Sequence, residues 1–135
     1  MTRQLKRTIG IASFIAAGLT GTERLAAAAD PAKSAAEFFD KRVEPVLRRR
    51  GLGCHNEELK NGNISFLDRD SLLSGGNRGP ALVPGKPEAS ILILALRHNS
   101  ELRMPPGEKL PAKQVAILTA WVRRGAAWGT KLRRK

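Results

Sequence analysis

The chain has one cysteine, Cys54, no tyrosine, two tryptophans and four phenylalanines among its 135 residues, and only 12 acidic side chains against 24 basic ones. Each shortage excludes something. A lone cysteine cannot close an intrachain disulfide, so Cys54 is spare, paired with another chain, or chemically employed. Scarce aromatics remove the stacking platforms on which bases are held. That counts against nucleic acid, the partner a net charge of +12 first suggests. The apolar stretch from Thr8 to Thr20 is too short to span a bilayer. Strand signals are weak and no repeat is present. This length leaves room for one domain.

What is present begins with a basic head at Arg3, Lys6 and Arg7, the apolar stretch, and a small-residue run from Ala26 to Ala29 before Asp30. This order is that of a secretory signal peptide, residues 1–29, cleaved near Ala29. The alternative is a retained N-terminal anchor, because Glu23 and Arg24 stand before the cleavage region. A domain over 30–128 and a basic tail over 129–135 complete the division. An exported, periplasmic protein of strongly basic balance suits an acidic protein partner or an anionic surface. No membrane span in the mature chain, no nucleic acid and no small-molecule substrate are expected.

The mature region opens with a helical pattern from Ala32 to Arg50, in which Phe39, Val43 and Val46 or Leu47 form one apolar face. Pro45 inside it predicts a kink or interruption. Arg48, Arg49 and Arg50 place positive charge at the helix C-terminus. From Asn61 to Pro87 the turn-forming pairs Asn61-Gly62, Gly75-Gly76, Gly79-Pro80 and Pro84-Gly85 predict a long loop, with a helical turn near Asp70 to Leu73. A loop of this length in a small domain is expected to wrap something. A short, mostly buried helix follows over Glu88 to Arg97, then an extended run over Asn99 to Gly107. The last helix spans about Pro111 to Arg124, with Val115, Leu118, Trp121 and Val122 facing inward and Gly125 as its stop. Trp121 reads as core and Trp128 as a packing lid.

The most informative pair is Cys54-His55. In C-x-x-C-H, thiols add across haem vinyl groups and the histidine ligates the iron, because a tight turn sets sulfur at the ring edge and imidazole beneath the metal. Here the run is Gly51-Leu52-Gly53-Cys54-His55, so one thioether is possible and two are not. Met104 is the only methionine besides Met1. It stands before Pro105 and Pro106, in a stiff loop rather than on a helix face where a gap-filling methionine belongs. A thioether sulfur is a second iron ligand that favours the reduced state. His98 could take that place instead; its ordinary use near a helix end is to bind backbone carbonyls or a propionate. Arg78 or Arg97 could pair a propionate. Glu57 and Glu58 read as a solvated helical face, and no acid–base pair or nucleophilic arrangement stands out.

The run from Phe38 to Trp128 resembles the planctomycete-type cytochrome c domain. The likeness lies in Phe38-Phe39-Asp40-Lys41-Arg42-Val43-Glu44-Pro45-Val46-Leu47, in Gly53-Cys54-His55-Asn56, and in the stretch from Gly75 to Gly85. It continues in Arg97-His98, Met104-Pro105-Pro106, Trp121-Val122 and Gly125-Ala126. The resemblance implies a mainly α, class I cytochrome c-like small domain with a long haem-wrapping loop. It further implies haem c as cofactor, Cys54 as the linking residue, and His55 and Met104 as iron ligands. Gly51 stands where the family has its first linking cysteine. Three readings therefore compete: an electron carrier with haem held by one thioether; a cytochrome fold without covalent haem, serving as a binding or accessory module of a larger exported protein; and an unrelated role for an exported thiol.

Overall fold

The computed structural model describes residues 29–132. The signal peptide read over residues 1–29 lies, but for Ala29, outside them, as do residues 133–135. Among the described residues there are helices and turns, no strand, and no helix long and apolar enough to cross a membrane. The fold is mainly helical.

Helix α1, Pro31–Phe38, starts where the Asp30 carboxylate accepts the Ala32 N–H at 2.9 Å and Pro31 brings its preset φ to the first turn. It runs through a π-turn, Phe39–Val43, into α2, Glu44–Arg50. The π-turn is the form the Pro45 interruption takes. Proline has no N–H and its ring crowds the preceding turn. The Glu44 N–H reaches back to the Phe39 carbonyl, so the ladder widens by one residue and the helix continues. The widened turn keeps Phe39, Val43, Val46 and Leu47 all buried.

That face meets α5, Ala112–Arg123, whose Leu118, Trp121 and Val122 are buried. Phe39 packs at 5.6 Å from Trp121 and 4.3 Å from Trp128, and the two indoles lie 5.9 Å apart. An indole N–H in or against the core needs an acceptor. Trp121 donates to the Ala127 carbonyl at 2.7 Å and Trp128 to the Leu132 carbonyl at 2.8 Å. Gly125, at φ +94°, turns the chain out of α5. The Arg69 guanidinium then ties the carbonyls of Ala126 and Gly125 at 2.8 and 3.2 Å.

The loop-rich middle contains α3, Arg69–Ser74, capped by Asp68, whose carboxylate accepts the Ser71 N–H at 2.7 Å. A 3₁₀ turn, Pro87–Ala89, precedes α4, Ile91–Arg97, so the helix expected from Glu88 begins three residues later. The delay follows from Ser90, fully buried and extended. Its hydroxyl donates to the Lys86 carbonyl at 2.9 Å and accepts the Val83 N–H at 2.9 Å. Glu57 and Glu58 are exposed, but in a turn rather than on the expected helical face; the Asn56 side chain accepts the Glu58 and Leu59 N–H groups.

The segment expected as a basic tail from Gly129 is packed as far as Leu132, which is buried. Asp40 holds it. Its carboxylate accepts the Thr130 N–H at 2.9 Å, the Thr130 hydroxyl at 3.0 Å and the Lys131 N–H at 3.1 Å. Gly129 permits this approach, since a Cβ there would overlap the carboxylate. Burial opposes the charge of Asp40. The Lys131 and Thr130 N–H groups and the Thr130 hydroxyl outweigh it, and the carboxyl is held below its usual range. A lowered folded-state pKa stabilises the fold above the ordinary carboxylate range and ceases to do so as pH falls through the lowered value. Asp40→Asn is expected to cost about 1–2 kcal/mol at pH 7. The difference from wild type should shrink on acidification below about pH 4. Thermal unfolding followed across pH checks this; equal Tm values at pH 7 would contradict it.

Candidate cofactor site

Between α2, α4, α5 and the middle loops lies a cavity of about 330 Å³, large enough for a cofactor. Its walls are mostly apolar: Val46 and Leu47 from α2, Leu92, Ala95 and Leu96 from α4, and Leu118 from α5. Onto this surface the chain brings Cys54 and His55 from one segment and Met104, Pro105 and Pro106 from another.

The Cys54-His55 turn follows directly from the end of α2. Gly51 ends the helix, its N–H bonding the Leu47 carbonyl at 2.8 Å. Its own carbonyl accepts the N–H groups of Cys54 and His55, both at 3.0 Å. The Cys54 thiol is free and exposed. The His55 side of the turn is buried, with 8% of the residue accessible. The His55 carbonyl accepts the Phe66 N–H at 2.7 Å, and the imidazole stacks on the Phe66 ring at 4.6 Å and 17°. Imidazole Nδ1 is sealed from solvent with no hydrogen-bond partner. A buried polar atom of this kind needs an explanation.

Met104 is clamped at both main-chain groups. Its N–H donates to the Ala95 carbonyl at 3.1 Å, and its carbonyl lies 3.1 Å from His98 Nε2. A carbonyl only accepts, so Nε2 carries the proton. His98 caps α4 in the left-handed region, at φ 55°. It does not line the cavity; it binds a backbone carbonyl, the ordinary role read for a histidine at a helix end. Of the two candidates for second ligand, Met104 lines the cavity and His98 secures its loop.

Arg78 lines the cavity, whereas Arg97 is exposed at the end of α4 and does not. Arg50, read from sequence only as helix-ending charge, lines it too. Phe66 was also absent from the sequence reading. It sits in a loop without periodicity, and only the tertiary fold shows that it meets His55. Among the described residues no three His, Cys, Asp or Glu side chains gather as a metal cage. The donors at this cavity are one imidazole, one thiol and one thioether. With apolar walls and two guanidiniums, that set fits a flat apolar ring bearing an iron and carboxylates.

The fold is that of a small, mainly helical domain, consistent with the cytochrome c-like class. Residues 52–108 match the family model described as Planctomycete cytochrome C, a segment that takes in both Cys54-His55 and Met104-Pro105-Pro106. Over this segment the match agrees with the resemblance read from the sequence. No curated protein and no solved structure matches the chain.

If His98 secures the Met104 loop, its removal should loosen that loop locally. His98→Ala is expected to speed hydrogen exchange of the Met104 amide by about five- to tenfold, with little change at α5. Unchanged exchange at Met104 would contradict the clamp.

Proposed function

We propose that this domain binds one haem and passes electrons, and that it catalyses no reaction of its own. The observation that carries the reading is convergence: Cys54-His55 and Met104, far apart in sequence, line one apolar cavity. The burial of the His55 imidazole at the wall of this apolar cavity supports it.

The Cys54 thiol would hold the haem by adding across one vinyl group. Its S–H bond breaks, an S–C bond forms, and the hydrogen goes to the neighbouring vinyl carbon, with no net oxidation. His55 and Met104 would hold the iron between them, leaving no open position for a substrate and favouring electron transfer. Iron in the bound haem supplies the one-electron exchange. Apolar walls exclude water and set the potential together with the Met104 sulfur. Arg50 and Arg78 suit the haem propionates, and the basic surface suits an acidic redox partner. The family resemblance and the N-terminal pattern support export across a bacterial membrane.

Gly51 favours a second reading, because the chain can offer only Cys54 for attachment. On that reading the fold persists without haem as an accessory module of a larger exported protein. Expression with c-type maturation machinery separates the two. The haem reading predicts a haem-sized mass increment that survives denaturation in the wild-type protein and is absent in Cys54→Ala. It predicts a pyridine haemochrome band between those of b- and c-type haem. Met104→Ala should retain the mass and lose the low-spin spectrum. Apo mass in the wild-type protein, with no haem absorption, would overturn it.

A further inference from the structure

Gly51 is more than a missing cysteine. Its backbone sits at φ −119° and ψ −43°, which any residue can adopt, so conformation does not call for glycine. Space does. A Cβ built on residue 51 would overlap Cδ2 and Cε2 of the Phe66 ring and would come within 3.0 Å of the Leu47 carbonyl. Phe66 is held on its other sides. It is 7% accessible, belongs to the core, has its N–H bonded to the His55 carbonyl at 2.7 Å, and lies face to face with the His55 imidazole. The ring borders the cavity, so moving it would break the stack on the His55 imidazole and push the ring into the space read here for the cofactor.

We propose that Phe66 occupies the place of the residue-51 side chain and thereby restricts covalent haem attachment in this protein to Cys54. Residue 51 and residue 66 form one packing unit: a small residue at 51 requires a bulky one at 66, and a cysteine at 51 would require a small one. Single attachment is then built into the fold, and restoring the cysteine alone does not restore the second bond. The attachment rests on the haem reading above; the steric unit does not.

Two measurements test this, and they fail separately. The first uses the apoprotein. Gly51→Ala is expected to lower Tm by about 5–15 °C. In a Phe66→Ala background the same change should cost little or raise Tm, and Phe66→Val serves as the second background should Phe66→Ala not fold. Equal effects of Gly51→Ala in both backgrounds would overturn the packing unit whether or not haem binds.

The second uses protein exported with maturation machinery. Gly51→Cys should keep one thioether and one thiol that can be alkylated after denaturation. Gly51→Cys with Phe66→Ala should form two thioethers and leave no such thiol. Each added thioether forms as the first does: S–H adds across the remaining vinyl group, hydrogen passes to the vinyl carbon, and no electrons are exchanged. Two thioethers in Gly51→Cys alone would overturn the proposal. Failure of every variant, wild type included, to acquire haem would overturn the haem reading and with it the restriction on attachment, while the apoprotein cycle still decides the packing unit.

Discussion

The structure depends on one contact: the Phe39 ring against Trp121 and Trp128. Phe39 is wholly buried on the first helical stretch, and the two indoles belong to α5 and the segment after it. This contact brings the two ends of the domain face to face. It places the walls that α2 and α5 give the cavity, because Val46 and Leu47 follow Phe39 along one face and Leu118 stands one turn from Trp121. The π-turn carries the helix past Pro45 without a break in its backbone bonding.

From the end of α2 the chain has few alternatives. Gly51 closes the helix and its carbonyl gathers the Cys54 and His55 amides, so the thiol and the imidazole arrive at the cavity as a unit. The Met104 loop arrives from the other side of the sequence, fastened to α4 through Ala95 and His98. Both candidate ligands thus come from short non-helical segments, each hydrogen-bonded to an adjoining helix. Loops so held give a cofactor site its geometry while helices supply the apolar walls.

Much of this was legible in the sequence because it is local. The apolar spacing of Phe39, Val43 and Val46 gave the first helix, Gly125 gave the end of the last, and Cys54-His55 with Met104-Pro105 pointed to the site. The form taken by the Pro45 interruption was not legible, since a kink and a widened turn satisfy the same pattern. Arg50 and Arg97 both end helices in charge and both are exposed, and only the tertiary fold shows that Arg50 borders the cavity. Leu132 is a single apolar residue in a basic run; that it is buried depends on Asp40, about ninety positions away. The stack of Phe66 on His55, and the closure of space at Gly51, are likewise tertiary. The sequence shows a glycine where the resemblance would put a cysteine; the Phe66 ring that closes the space beside it is seen only in the fold.

The central claim is that His55 and Met104 ligate one iron in the cavity they share. Proton NMR of the reduced, exported protein tests it most directly, because a methionine methyl held over a haem face is displaced far upfield by the ring current. The account predicts one such methyl resonance, assigned to Met104 and lost in Met104→Leu. A Met104 methyl at its ordinary position in protein that carries haem would contradict it.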